Sequence, residues 1–286
     1  MSILKIVTDS TADIPTSIIE ELDITVVPLN VTFSEGKTYE DGVDLTPAQF
    51  YQKLAEEDTI PTTSQPTPFQ FEQVYERLGQ EGEDVEILSI HLSSKMSGTY
   101  QAATIAKNAV DEKVNVTVID SKRASYATGI IVVELARLVK AGKSRTECIG
   151  HLEKLLEETT VYFMVDTLEF LQKNGRIGKA SAMLGSLLKI KPILSLTAEG
   201  EVYPYEKVRG QKKAINRIIE AFKQQYEDEP IHIGVSHAVS PEVAADLVER
   251  IKQEFTVVSE VITDIGPVIG SHVGPGTVSI AVTTAE

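Results

Sequence analysis

Short apolar runs alternate with amphipathic stretches through the first half of this chain, and that alternation limits the fold more than any other feature. Leu4 to Val7 reads as a strand ending at Asp9-Ser10, Pro15 to Leu22 as a helix with Pro15 near its first turn, and the β-branched stretch Ile24 to Phe33 as a strand. Helices are expected over Leu45–Glu57 and Pro68–Leu78, a strand over Val85–His91, a helix over Gly98–Val110 and a strand over Val114–Ile119. Two further helices follow, near Thr128–Lys140 and Arg145–Glu157. Strands separated by helical crossovers pair in parallel, and a parallel sheet needs cover on both faces. The first half is therefore expected to be an α/β domain with a mostly parallel sheet covered by helices.

The second half has a different rhythm. Strand patterns fall at Val161–Val165, Pro192–Leu196, Val202–Val208, Ile231–Ser236, Thr256–Ile262 and Val278–Thr283, with long helices at Gln211–Tyr226 and Pro241–Glu254. Two of the strands are separated by Ala198-Glu199-Gly200, a hairpin signal. This reads as a second α/β domain with a mixed or antiparallel sheet. A chain of 286 residues reaches the size at which single cores stop growing. Two domains are expected, 1–158 and 159–286, divided in the polar stretch Glu157-Glu158-Thr159-Thr160.

Composition removes several classes of function. The formal charge of −15, with no long Lys/Arg run, argues against a nucleic-acid partner. The single cysteine, Cys148, allows neither an internal disulfide nor a cysteine metal cluster. The N-terminus lacks the basic start of a signal peptide, and no run approaches the about 18 apolar residues of a membrane span. A soluble, cytoplasmic protein is expected. A phosphate-binding loop, a dinucleotide fingerprint, a G-x-S-x-G elbow and an H-E-x-x-H pair are all missing from the sequence. No metal site is expected.

Four polar segments follow predicted strands or precede predicted helices: Asp9-Ser10-Thr11, Thr62–Pro68, Leu92–Thr99 and Ser271–Thr277. Open α/β sheets bind ligands at the carboxyl ends of their strands, and helix starts favour anions. Each segment also has a plainer reading. Ser97 and Thr67 suit helix caps, His272 suits a hydrogen-bonded structural histidine, and Gly274-Pro275-Gly276 suits a tight turn.

Taken together, the segments resemble those of the DegV family over essentially the full length. The likeness rests on TDSTADIP at the start, TSQPTP at Thr63–Pro68, LSSKMSGTY at Leu92–Tyr100, DSKRAS at Asp120–Ser125, KNGRIGK at Lys173–Lys179, KIKPIL at Lys189–Leu194, VRGQKKA at Val208–Ala214 and HVGPGT at His272–Thr277. Met96 stands where the family usually has leucine, and Thr67 where serine is common.

The resemblance implies a lipid carrier, not an enzyme acting alone. It implies that one long-chain fatty acid is bound in a buried pocket and presented to a separate ATP-binding fatty acid kinase subunit, so that the acyl-phosphate can move toward phospholipid synthesis. No cofactor and no catalytic residue are expected, and transient contact with a membrane is compatible with such a carrier. By the same likeness Thr62 or Thr63, Ser93 or Ser94, and His272 would hydrogen-bond the carboxylate, while Arg176 and Arg209 would lie at the pocket mouth, against the partner or the phosphate. Candidate wall residues lie in Ala182–Leu188 and Ile190–Leu194. The competing reading is an acyl-transfer hydrolase pairing Ser93 or Ser94 with His272. A DNA-binding regulator is a third reading, opposed by the net charge.

Overall fold

The structure, a computed structural model, describes residues 3–56, 59–185, 190–226 and 229–285. Its elements in chain order begin with β1 (Ile3–Asp9), α1 (Thr16–Glu21), β2 (Ile24–Val27), β3 (Asn30–Thr32), β4 (Thr38–Glu40), α2 (Pro47–Glu56) and β5 (Thr62–Ser64). There follow α3 (Pro68–Gly79), β6 (Val85–His91), α4 (Thr99–Val110), β7 (Asn115–Asp120), α5 (Tyr126–Lys140) and α6 (Arg145–Glu158). The second half contains β8 (Thr160–Met164), α7 (Glu169–Lys173), β9 (Lys191–Leu196), β10 (Val202–Val208) and α8 (Gln211–Tyr226). It closes with β11 (Ile231–His237), α9 (Pro241–Glu254), β12 (Val257–Asp264), α10 (Pro267–Val273) and β13 (Val278–Thr284).

The expected parallel sheet is present in the order β2-β1-β6-β7, every pair parallel. Side chains alternate across it. Val7 and Ile87 face α3 and α4, whereas Ile6, Leu88 and Ile90 face α5. Thr67 starts α3 with a reciprocal capping box to Gln70. In α4 the small buried residues Ala102, Ala103 and Ala106 let the helix lie close to the strands.

The second sheet runs β10-β9-β8-β13-β11-β12 and is mixed: only β11 and β12 pair in parallel. The β9–β10 hairpin turns at Gly200, whose φ of +87° suits glycine. Helices α8 and α9 cover one face with stripes such as Ile215, Ile218, Ile219 and Phe222, and Ala244, Leu247, Val248 and Ile251.

Helix α5 lies between the sheets. Every residue from Tyr126 to Ala136 is buried, and its cluster joins Ile6 and Leu88 of the first sheet to Val161 and Ala281 of the second. Glu134, the one charged residue in that run, is held by Arg137 at 2.6 Å. A Cβ on Gly234 of β11 would stand 2.0 Å from the Tyr126 ring, so the bare backbone there receives the aromatic face.

Three features differ from the sequence reading. Ile24–Phe33 is not one strand: the chain leaves the first sheet after Val27, at Pro28, and resumes as β3. That strand centres a separate antiparallel sheet, β4-β3-β5, in which Thr63 sits opposite Val31. Ahead of the expected turn Gly274-Pro275-Gly276, which is present, a stretch assigned no element in the sequence reading forms a helix, α10, begun by Pro267. The division expected at 158/159 falls between α6 and β8. Glu57, the last residue of the expected second helix, lies outside the described residues.

Candidate functional site

A cavity of about 360 Å³ lies where the three sheets and α10 meet, within the range of about 300–1,000 Å³ typical of small-ligand sites. Apolar walls come from Val161 and Phe163 of β8, Leu196 of β9, Val202 of β10, and Val268, Ile269 and Val273 on α10. Leu92 and Ala124 bring in the loops at the carboxyl ends of β6 and β7.

The polar groups gather where β5, α10 and the loop after β6 converge. Thr63 and His272, 209 positions apart, meet with Oγ1 and Nε2 2.8 Å from one another. Asn174 fixes the backbone around them, its Nδ2 donating to the Ser271 carbonyl at 2.7 Å and to the Pro61 carbonyl at 3.2 Å. Arg176 lines the same cavity. Its Nε donates to the Met96 carbonyl at 3.1 Å and its Nη1 to the Asn174 carbonyl at 2.6 Å. The guanidinium is thereby anchored on backbone while bearing no carboxylate partner among the described residues.

Burial, and then the positive charge of Arg176, push the His272 pKa down to about 4. The imidazole is neutral at physiological pH. Its Nδ1 is buried with no protein hydrogen-bond partner. A neutral ring, a hydroxyl and an anchored guanidinium form a pole that suits an anionic group at the end of an apolar chamber.

The predicted residues divide in space. Thr63, His272 and Arg176 line the cavity, and Thr62, Ser93, Ser94 and Arg209 do not. Thr62 is exposed and pairs with Thr32. The Ser93 hydroxyl is buried and donates to the Gly200 carbonyl at 2.7 Å, fastening the β6 loop to the β9–β10 hairpin. Ser94 is exposed, with its backbone N–H 3.3 Å from Asp120 Oδ1. Arg209 is exposed just beyond β10. His272 therefore meets Thr63 and not either serine of the hydrolase reading.

Ser97 and Gln65 line the cavity and were not among the candidates for the carboxylate. The available signal was Ser97's place just before a helix start, where free N–H groups favour an anion. Gln65 lies against Gly98, where a Cβ would stand 2.2 Å from its Oε1. Among the described residues, neither expected wall stretch lines the cavity, and Ser186–Leu188 lie outside those residues. No group of three or more metal-binding side chains occurs among the described residues, and no described helix is long and apolar enough to cross a membrane.

Comparison with known proteins adds to this geometry. The family model described as an uncharacterised protein of the DegV family matches residues 3–285. A DegV domain-containing protein of Halalkalibacterium halodurans is 41% identical over 282 residues, covering 98% of both chains. A solved DegV family protein from Thermus thermophilus, described for its fatty acid binding, superposes with a TM-score of 0.91 at 37% identity, over 99% of each chain. A stearic acid-binding protein from Eubacterium ventriosum gives a TM-score of 0.88 at 26% identity, over 99% of this chain and 98% of that one.

Proposed function

This chain belongs to the DegV family, and from that premise we propose that it binds one long-chain fatty acid and presents its carboxylate to a separate ATP-dependent kinase subunit. The observation that carries the proposal is the cavity itself: apolar walls ending in the Thr63–His272 pair beside Arg176. Thr63 and Ser97 would donate to the carboxylate, and His272 would act through Thr63, whose hydroxyl it orients. With Nε2–H donating to Thr63 Oγ1, the Thr63 hydroxyl hydrogen is free for the ligand. Neutral donors bind a carboxylate without neutralising it, which leaves an oxygen able to attack phosphorus. Arg176 would meet the transferring phosphoryl group, where negative charge gathers. Arg209, at a distance from the cavity, would serve only as a contact for the partner.

The acyl chain supplies the affinity. Each buried CH₂ contributes about 0.8 kcal/mol, so about sixteen carbons give on the order of 10 kcal/mol before the costs of ordering and association. The carrier itself would transfer no phosphate. The acyl-phosphate formed with the kinase would pass toward phospholipid synthesis, with transient membrane contact on the way and the cytoplasm as the compartment.

Intact mass measurement under native and then denaturing conditions tests the first half of this reading. The expected result is an adduct of fatty-acid mass that disappears on denaturation and is recovered by solvent extraction. A bare protein that also refuses added palmitate and oleate would overturn it.

A further inference from the structure

Behind α10 two carboxyl groups lie buried with no lysine or arginine in ion-pair reach among the described residues: Asp13 is 8% exposed and Asp41 4%. Asp13 ends the 3-10 turn Ser10–Ala12 with φ +50°, a left-handed conformation that aspartate tolerates. Its Oδ1 accepts the Gly266 N–H at 3.0 Å and its Oδ2 accepts the Ser125 hydroxyl at 2.5 Å. Ser125 Oγ lies 3.0 Å from Ser236 Oγ on β11, and the Asp13 carbonyl accepts the Thr263 hydroxyl of β12 at 2.9 Å. Asp41, just after β4, accepts the Ser10 hydroxyl at 2.9 Å and the backbone N–H of Val268. Thus amide groups at the start of α10 end on carboxyls from the opposite half of the molecule. The approach is close: a Cβ on Gly266 would stand 2.7 Å from Asp13 Oδ1 and 3.3 Å from Asp41 Oδ1.

We propose that Asp13 and Asp41 are positioning residues of the lipid site: they clasp the start of α10, hold its wall against the acyl chain, and loosen as they ionise. The proposal rests on the lipid-binding reading above. Helix α10 provides Val268, Ile269, His272 and Val273 to the cavity, so any movement of its N-terminus moves both wall and polar pole. One negative charge at the helix start is favourable, and a second beside it is repelled. Burial is the main reason that the Asp41 pKa rises to about 7 and that of Asp13 well above the carboxylate range, with like-charged neighbours adding to it. The other titratable groups facing the pair are Asp9, which is bonded to His91 at 2.9 Å, Tyr51 of α2 and Asp264 at the end of β12. His272 titrates at the far end of the same helix.

The sign follows from the raised pKa values. A clasped carboxyl keeps a proton that an opened, solvated one loses near its ordinary pKa of 3.8. The clasp is therefore firmest at low pH. It weakens as pH rises toward about 7 for Asp41, and ionisation of Asp13 acts in the same direction.

Release of bound oleate to excess phosphatidylcholine vesicles, followed between about pH 5 and pH 7 in the wild type and in Asp41→Asn, tests the clasp. Asparagine keeps an acceptor for Ser10 and Val268 but cannot ionise. The wild-type rate should climb more steeply with pH, the ratio between the two proteins changing by up to about tenfold per pH unit. That ratio cancels titration of His272 and of oleate itself. Hydrogen exchange of α10 amides in the lipid-free protein gives a second reading: protection, corrected for intrinsic base catalysis, should fall with pH in the wild type. Equal slopes with pH-independent protection would overturn the clasp. Failure of both proteins to take up oleate, with pH-dependent protection retained, would overturn the lipid reading instead. If Asp41→Asn does not fold, the wild-type exchange profile alone decides.

Discussion

Replacing Thr63 by valine keeps a branched side chain of similar shape and removes a single hydroxyl. In the proposed complex that hydroxyl receives the His272 Nε2 proton across 2.8 Å and donates its own to the carboxylate. Two energies change. A hydrogen bond to a charged group is worth about 1.5–3 kcal/mol, and an imidazole nitrogen left buried without a partner costs about 1–3 kcal/mol. The second cost falls on the free and the bound protein alike, so it cancels from the affinity and appears in the stability of the lipid-free protein. The first falls on the complex alone. Palmitate should therefore bind roughly 10- to 150-fold more weakly to Thr63→Val. Calorimetric titration with palmitate and with hexadecanol separates head from tail. The alcohol shares the chain but lacks the charge, so its affinity should change much less. Equal losses for both ligands would mean that the substitution had altered the chamber and not the pole. An unchanged palmitate affinity would remove Thr63 from the carboxylate site.

Arg176→Ala should retain lipid yet lose phosphorylation by kinase and ATP, and the His272 pKa should rise from about 4 as the neighbouring charge is removed. Normal turnover would refute the assignment, and an imidazole NMR titration reads the pKa. Gly234→Ala would drive a methyl group into the buried Tyr126 ring. Overpacking of about 1–3 kcal/mol should lower Tm by about 2–4 °C for each kcal/mol, and an unchanged calorimetric transition would contradict it. His272 resists protonation when folded but accepts it near pH 6.5 when unfolded, so its contribution to stability is present above pH 6.5 and lost as pH falls toward about 4. Urea unfolding across that window should fall by up to about 1.4 kcal/mol per pH unit more in the wild type than in His272→Gln, and parallel profiles would exclude it.

The regular parts of the fold were legible because period and length agree there. The run Val85–His91 is too short and too β-branched for a helix, and Ala244, Leu247, Val248 and Ile251 keep one helical stripe. Prediction failed where a short element depends on distant support. Strands β3 and β5 have three residues each and exist through pairing with one another, which a local pattern does not carry. Helix α10 contains Gly270 and lies between Gly266 and Gly274, so its seven residues show no helical signal and were assigned no element in the sequence reading. Its first amides are satisfied by Asp13 and Asp41, more than 200 positions earlier. The site followed the same division. The segments containing Thr63, Arg176 and His272 were visible as motifs, but the motif could not choose between Ser93 and Ser94, and neither lines the cavity, the Ser93 hydroxyl being taken by the distant Gly200 carbonyl.

The place of α5 between the sheets has a consequence for how the chain is made. A ribosome releases β1 through α5 long before β13 exists, so the apolar residues of Tyr126–Ala136 emerge with one sheet to cover them and the other still unmade. Ala281 of β13 belongs to the cluster that finally encloses them. The nascent first half must therefore wait with an oily helix exposed, a state that attracts chaperones and aggregates readily. A stop codon placed even in the last strand would leave that wait without an end.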